Sequence, residues 1–341
     1  MVTSSIGVMP RVTVVIPNWN RRDLLERLLE GLRAQTYSIE EIIVVDNASG
    51  DASAEAAASK GARVIALERN LGFARAVNRG IKETRTELVA IVNNDVEVEK
   101  DWLERLVKMM RLPRVWFAAG KLRSAAQPDR IEGTYDLVCR GACAWRAGSG
   151  RPDGPLWSRP RRIRLAPFTA TLFRTDLFQR VGLLDENFGS YLEDVDFGLR
   201  CAMHGYYGVY APDAVASHAG SATLGRWDKR TVRLIARNQV LLAAKHYPAR
   251  YFVRYGWPLF VSQSLWGLVA LRHGRGLSFL RGKLEGIAGF RRARREVKRA
   301  GGFRHGLSKI LVESESEIFR IQKRTGFDKF WRAYFAFTSL T

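Results

Sequence analysis

Val89-Ala90-Ile91-Val92-Asn93-Asn94-Asp95-Val96-Glu97-Val98 is an apolar, β-branched run that stops abruptly at two amides and a carboxylate. A short run of this kind, bounded by polar residues, reads as a buried parallel strand. In open α/β sheets, ligands gather beyond the carboxyl ends of such strands. Asp95 would then stand at the mouth of a crevice, where a hard oxygen ligand can hold a divalent cation against a phosphate. Asn-Asn-Asp equally suits a loop held by turn hydrogen bonds, so the flanking segments decide.

Upstream, strand patterns at Val12–Ile16, Ile42–Val45, Arg63–Ala66 and Leu88–Val92 alternate with helical ones at Asp23–Ala34, Ala52–Lys60, Phe73–Glu83 and Asp101–Met110. This alternation predicts an α/β domain whose mostly parallel sheet is covered on both faces. From Arg111 to Pro167 six prolines break the pattern, which predicts irregular connections and a few short strands lining a cleft. Order returns with a strand at Thr171–Phe173, helices at Thr175–Val181 and Asp194–His204, and strands at Tyr207–Tyr210 and before His218. A long helix from Lys229 should stop at Tyr247, ahead of Pro248.

The 341 residues can bury one large core or two smaller ones. Met1–Pro10 lacks a signal-peptide pattern, and Cys139, Cys143 and Cys201 form no zinc or redox motif. A reducing cytoplasm is the simplest setting. The formal charge of +21 is uneven: His246–Thr341 carries 19 Lys and Arg against 6 Asp and Glu. Such a field attracts anionic surfaces, nucleic acid or acidic lipid. No zinc finger, basic zipper or RNA-recognition signature is present and acids crowd the expected cleft, so no nucleic-acid partner is expected.

Tyr255–Leu271 is 17 residues without a charge, flanked by Arg250, Arg254, Arg272 and Arg275. It is shorter than the roughly 20 apolar residues of a spanning helix, and Pro258 and Ser262-Gln263-Ser264 interrupt it. An interfacial amphipathic segment fits it, with arginines on lipid phosphates; so does a core helix of a small helical domain. Arg291–Arg299 is a basic helix face, solvated or part of the same positive patch. The chain divides into an α/β domain over 1–248 and a basic, aromatic-rich helical region over 249–341.

Four other segments fall in register with Asn93-Asn94-Asp95. Val15-Ile16-Pro17-Asn18-Trp19-Asn20 and Val44-Val45-Asp46-Asn47-Ala48-Ser49 are strand ends running into polar turns. Their side chains can bond a ribose or a pyrimidine, or merely cap helices. Asn70-Leu71-Gly72-Phe73 is a glycine turn opening a helix, whose start favours anions. In Tyr191-Leu192-Glu193-Asp194-Val195-Asp196, acids gather at a helix entrance. They suit the first turn, Asp196 pairs with Arg200 at i,i+4, and Glu193-Asp194 could supply a general base. His218 at a strand end is by itself an ordinary structural histidine; beside Asp95 it becomes a metal ligand.

Taken in order, these motifs resemble the family 2 glycosyltransferases of the GT-A fold, in particular bacterial rhamnosyltransferase-like members, over roughly Arg11 to Pro248. The resemblance implies that Pro17, Asn18, Asp46, Asn47, Asn70, Gly72 and Asn78 border the nucleotide and that Asn94 lies by the ribose. It implies Mg2+ or Mn2+ on Asp95 and His218, and Asp194 as catalytic base with Glu193 beside it near the acceptor. Asn93 and Asn94 replace two acids of the family's Asp-Asp-Asp version, leaving the ion dependent on the donor's diphosphate. The implied donor is dTDP-L-rhamnose, with a UDP-sugar next. The basic, aromatic C-terminal part suggests an acceptor presented at the inner face of the cytoplasmic membrane, a glycan or polyprenyl-diphosphate-linked glycan. A non-catalytic sugar-nucleotide or glycan-binding module is the competing reading. A dehydrogenase is disfavoured because the first strand–helix turn lacks Gly-x-Gly-x-x-Gly.

Overall fold

The computed structural model describes residues 9–219, 227–299 and 306–338, apart from the side chains of Lys298 and Arg299. The first eight residues, part of the stretch that lacks a signal pattern, and the basic end of the Arg291–Arg299 face therefore lie outside the described side chains.

The alternation in the first 110 residues becomes β1 (Val12–Asn18), α1 (Arg22–Arg33), β2 (Glu41–Asp46), α2 (Ser53–Ser59), β3 (Arg63–Ala66), α3 (Phe73–Glu83), β4 (Leu88–Val92), β5 (Val96–Val98) and α4 (Trp102–Met110). In α1 the leucines recur on one face, so Leu25, Leu28, Leu29 and Leu32 pack inward. β4 is buried along its whole length because helices cover both faces of the sheet.

Then come β6 (Val115–Ser124), β7 (Ile131–Gly133), β8 (Asp136–Val138), β9 (Ala144–Arg146), β10 (Arg161–Ile163), β11 (Ala170–Arg174), α5 (Thr175–Val181), α6 (Glu193–Met203) and β12 (Tyr207–His218). The ten-stranded sheet runs β10-β12-β6-β11-β4-β1-β2-β3, with β5 on β12 and β7 on β6; β8 and β9 form a separate hairpin. Strands β1 to β4 pair in parallel. β11 enters antiparallel between β4 and β6, and β5, β7 and β10 are antiparallel too. The sheet is therefore mixed, a correction to the mostly parallel expectation, because the second half of the chain returns by reversals rather than by helical crossovers.

Two further differences come from long-range pairing. β6 is a ten-residue strand where irregular chain is expected. Its buried Lys121 is tolerated because Asp153 accepts from Nζ at 2.8 Å and 2.9 Å. The two short strands expected around Pro212 are one strand, β12, whose register on β6 jumps between Ala211 and Val215. The bulge expels exposed Asp213 and carries the strand on to His218.

Helices α7 (Lys229–His246), α8 (Ala249–Arg254), α9 (Gly256–Arg272), α10 (Gly276–Arg299), α11 (Leu307–Thr325) and α12 (Lys329–Thr338) complete the chain. They share a core with the α/β part: Ile318, Trp331 and Tyr334 pack with Tyr135, Cys143 and Trp157. Glu315, fully buried, accepts from Arg140 and from the Tyr334 hydroxyl. α10 lies close along α7 because its contact side is glycine: a Cβ at Gly286 would stand 2.8 Å from the Arg237 carbonyl oxygen. α9, read from the sequence as an interfacial amphipathic segment or a core helix, packs Pro258, Val261, Ser262 and Ala270 inward and leaves Trp257, Phe260, Leu268 and Leu271 exposed. Among the described residues no helix is long and apolar enough to cross a membrane.

Candidate active site

The carboxyl ends of β1, β2 and β4 converge on one hydrogen-bonded net. Asn94 Nδ2 donates to Asn18 Oδ1 at 2.7 Å, and Asn18 Nδ2 donates to Asp46 Oδ1 at 3.0 Å. Asp46 also accepts from Ser49 N and Oγ, closing an Asx-type turn. Asn47 Nδ2 donates to Asn70 Oδ1, which accepts from Gly72 N as well. Asn18, Asp46, Asn47 and Asn94 are all buried, and Pro17 sits buried one residue inside the strand end. Five of the residues expected at the nucleotide, Asn18, Asp46, Asn47, Asn70 and Asn94, thus come together as a pre-set polar floor beside Pro17, and Gly72 is joined to it through its N–H.

Two positions take structural work that their motif does not announce. Gly72 has φ +88°, and a Cβ there would stand 3.2 Å from the Gly189 carbonyl oxygen. The first free N–H groups of α3 are not open to an anion: Ala74 N donates to Gly189 O and Phe73 N to Ser190 Oγ. Asn78 both donates to and accepts from the Leu184 main chain. Both residues brace the loop that leads into α6, which explains the motif without placing Asn78 at a ligand.

His218 reaches Asp95 through strand pairing. β5 runs antiparallel to the end of β12 with His218 opposite Val96, so the imidazole Nε2 lies 3.2 Å from Asp95 Oδ1. Behind it, His218 Nδ1 is 3.4 Å from Glu132 Oε2 on β7, yet makes no aligned hydrogen bond. Burial alone would lower the imidazole, but Asp95 and Glu132 outweigh it and raise it to about 9. A carboxylate oxygen and an imidazole nitrogen side by side, with another carboxylate behind the ring, suit a divalent cation. Among the described residues no group of three or more such side chains forms a closed cage, so further ligands would come from the substrate's phosphates.

The base candidate stands at the start of α6. Tyr191 and Leu192 both adopt positive φ, 72° and 66°, a strained turn of the sort found at functional sites. Asn238 of α7 holds it, donating to the carbonyls of Phe188, Ser190 and Tyr191. Asp194 Oδ1 accepts from Val195 N, and Oδ2 lies 3.8 Å from Arg146 Nη2. Burial, then the charge of Asp136, lifts the Asp194 carboxyl to about 6, against the pull of Arg146. Glu193 is driven well above the usual carboxylate range by burial and by Asp194, and its Oε2 has no hydrogen-bond partner.

Arg146 is the residue that sequence reasoning missed. Its guanidinium donates to Asp136 Oδ1 at 3.2 Å and Thr169 Oγ1 at 3.3 Å, and lies 3.9 Å from Glu132. Burial opposes its charge, but Asp136, Glu132 and Asp194 together raise it above its ordinary value. Asp95, His218, Glu132, Arg146 and Asp194 thus form a chain of contacts with no gap longer than 3.9 Å. An isolated Arg on a short strand carries no signal; only acids on other elements give it a role.

Asp196, two residues on, is structural. It is fully buried against Arg200 at 3.0 Å, Lys245 at 2.7 Å and His246 at 2.8 Å. Burial would raise its carboxyl, but the charges of Lys245 and Arg200 and the hydrogen bond with His246 hold it well below the usual range. Asp196→Ala strands buried cations and should cost about 3–5 kcal/mol. Urea titration checks this; an unchanged midpoint would contradict it.

Residues 13–181 match Glycosyl transferase family 2. The chain is 28% identical over 230 residues to an N-acetylglucosaminyl-diphospho-decaprenol L-rhamnosyltransferase of Mycobacterium tuberculosis, covering 59% of this chain and 74% of that protein. It is also 28% identical over 246 residues to the uncharacterized protein y4gI of Sinorhizobium fredii, covering 68% of this chain, and 27% identical over 230 residues to the O-antigen biosynthesis protein RfbC of Myxococcus xanthus, covering 63%. It spans only 27% and 18% of the length of those two. Among solved structures, the mannosyltransferase PcManGT of Pyrobaculum calidifontis, in complex with GDP-Man and Mn2+, superposes with a TM-score of 0.52 at 18% identity, covering 96% of this chain and 87% of that one. GalNAc-T7 with UDP, GalNAc and Mn2+ gives 0.62 at 14%, covering 94% and 58%. At such identities the likeness is one of fold, and it agrees with the GT-A expectation. The domain match and the convergence of its strand-end motifs lead to one conclusion: residues 13–181 of this chain are a Glycosyl transferase family 2 domain.

Proposed function

We propose that the protein is an inverting, metal-dependent transferase of L-rhamnose from dTDP-L-rhamnose to a hydroxyl of a polyprenyl-diphosphate-linked glycan. On this reading it works in cell-envelope polysaccharide synthesis, in the cytoplasm at the inner membrane face. The observation that carries the proposal is the run of contacts from the Asp95–His218 pair to Asp194; on this reading Asp95 and His218 serve the leaving group and Asp194 the nucleophile. The name of the mycobacterial relative supports the donor and acceptor classes.

Asp95 and His218 would hold Mg2+ or Mn2+, which when bound offsets charge on the departing diphosphate. The floor of Asn18, Asp46, Asn47 and Asn94 orients nucleoside and ribose through amide and carboxylate bonds already fixed by one another. Asp194, ionised above about pH 6, takes the acceptor hydroxyl's proton as its oxygen bonds to the anomeric carbon. One base opposite the leaving group gives a single displacement with inversion. Arg146 keeps Asp194 anionic between Asp136 and Glu132.

A thermal-shift panel of dTDP-rhamnose, UDP-glucose, UDP-N-acetylglucosamine and GDP-mannose, each with and without Mn2+, tests the donor. The largest rise in melting temperature is expected with dTDP-rhamnose plus Mn2+. A larger rise with any UDP- or GDP-sugar would overturn the rhamnose assignment.

A further inference from the structure

We propose that the outward faces of α9 and α10 form a docking surface for an anionic lipid bilayer. This rests on the reading above, which places the acceptor in a lipid surface, and it extends that reading to named side chains outside the family 2 domain.

On α10 the exposed residues Leu277, Leu280, Leu284 and Ile287 recur at three- and four-residue spacing, one continuous stripe of a helix. Leu277 is 86% exposed. The stripe is not free to turn inward, because the other side of the helix is pressed on α7 through Gly282 and Gly286. α9, joined to α10 by the short turn 273–275, exposes Trp257, Phe260, Leu268 and Leu271. The Trp257 and Phe260 rings stack at 5.7 Å. Soluble proteins scatter exposed apolar residues singly; an array of large ones on consecutive helices marks an interaction surface.

The charge beside these stripes selects the occupant. Arg254 and Arg272 stand at or beside the ends of α9, and Arg291 and Arg295 continue α10 past Ile287, all exposed. Among the described residues no ion pair engages any of the four. Leucines and aromatics at acyl-chain depth, with guanidiniums at phosphate depth, are what a peripheral protein presents to an acidic leaflet. A second copy of this chain would bring the same arginines against one another. The bilayer is therefore the favoured partner.

The test is co-flotation of the full chain with vesicles of phosphatidylcholine alone or mixed with phosphatidylglycerol. Wild type should float with the mixed vesicles, less so as salt rises from about 0.1 to about 0.5 M. The double variant Leu280→Glu/Leu284→Glu, at exposed positions, should keep its melting temperature and lose roughly tenfold or more in vesicle affinity. A second variant, Arg291→Ser/Arg295→Ser, should weaken binding to the mixed vesicles alone. Absence of wild-type flotation, or unchanged binding by the leucine variant, overturns the proposal. So does a wild-type dimer in light scattering that the leucine variant dissolves, which would assign the face to a second copy. Turnover on a short-chain, water-soluble acceptor should persist in the leucine variant. Loss of flotation with turnover intact therefore speaks to the docking face alone, and absent turnover in wild type speaks to the transferase reading alone.

Discussion

Asp194→Asn should lower kcat by about 10²–10⁴-fold, the usual worth of a positioned general base, with little change in the affinity for the sugar nucleotide. The amide preserves volume and can still accept from Val195 N, so the start of α6 stays formed; what is lost is the capacity to take a proton. The pH profile sharpens the case. A carboxyl held at about 6 must be ionised to act, so activity should rise with pH through that region and level off above it. Removing the positive charge of Arg146, as in Arg146→Gln, takes away the interaction that pulls this carboxyl down, so the acid limb should move to higher pH. A merely structural Arg146 would lower stability or amplitude without moving the limb. Near-normal turnover in Asp194→Asn would remove Asp194 from the chemistry and pass the role of base to another group, Glu193 being the adjacent carboxyl, pushed well above the usual range by burial and by Asp194.

The parts of the molecule legible in the sequence are those written in local period and punctuation. The α1 leucines, the glycine opening α3 and the amides after β4 each specify their own neighbourhood, and the first four strands and their helices follow. The rest depends on pairings between distant segments. Nothing near Val115 announces that β6 will be buried, because its partners β11 and β12 come roughly fifty to one hundred residues later. The pairing of Asp95 with His218 was foreseeable only as a motif order; its cause is the antiparallel seat of β5 on the far end of β12. Arg146 could not be seen at all, since its function is the sum of Glu132, Asp136, Thr169 and Asp194, each on a different stretch of chain. Asn78 illustrates the reverse case: a polar residue on a motif helix whose side chain is engaged at both ends by the Leu184 main chain.

Chelation should abolish transfer, and Mn2+ or Mg2+ should restore it. A cation that stabilises a diphosphate leaving group contributes several kcal/mol, and with about 1.4 kcal/mol per decade of rate the expected loss is on the order of a thousandfold. Asp95→Ala should lose as much and should not be rescued by added metal at ordinary concentrations. His218→Ala should be milder, because a water can replace a neutral nitrogen more readily than a carboxylate's charge. Mn2+ binding read by electron paramagnetic resonance gives the comparison a second readout besides activity: the ion should bind weakly to the wild type alone and more tightly with dTDP present, since among the described residues no group of three or more ligating side chains is gathered there. The competing explanation is that His218 is a cation locked between Asp95 and Glu132 for stability alone. It predicts that His218→Gln lowers the melting temperature while leaving transfer indifferent to chelator. Full activity in excess chelator would decide for that explanation. Asp95, His218 and Glu132 would then be a buried ion network, and the leaving group's charge would have to be met by protein cations instead.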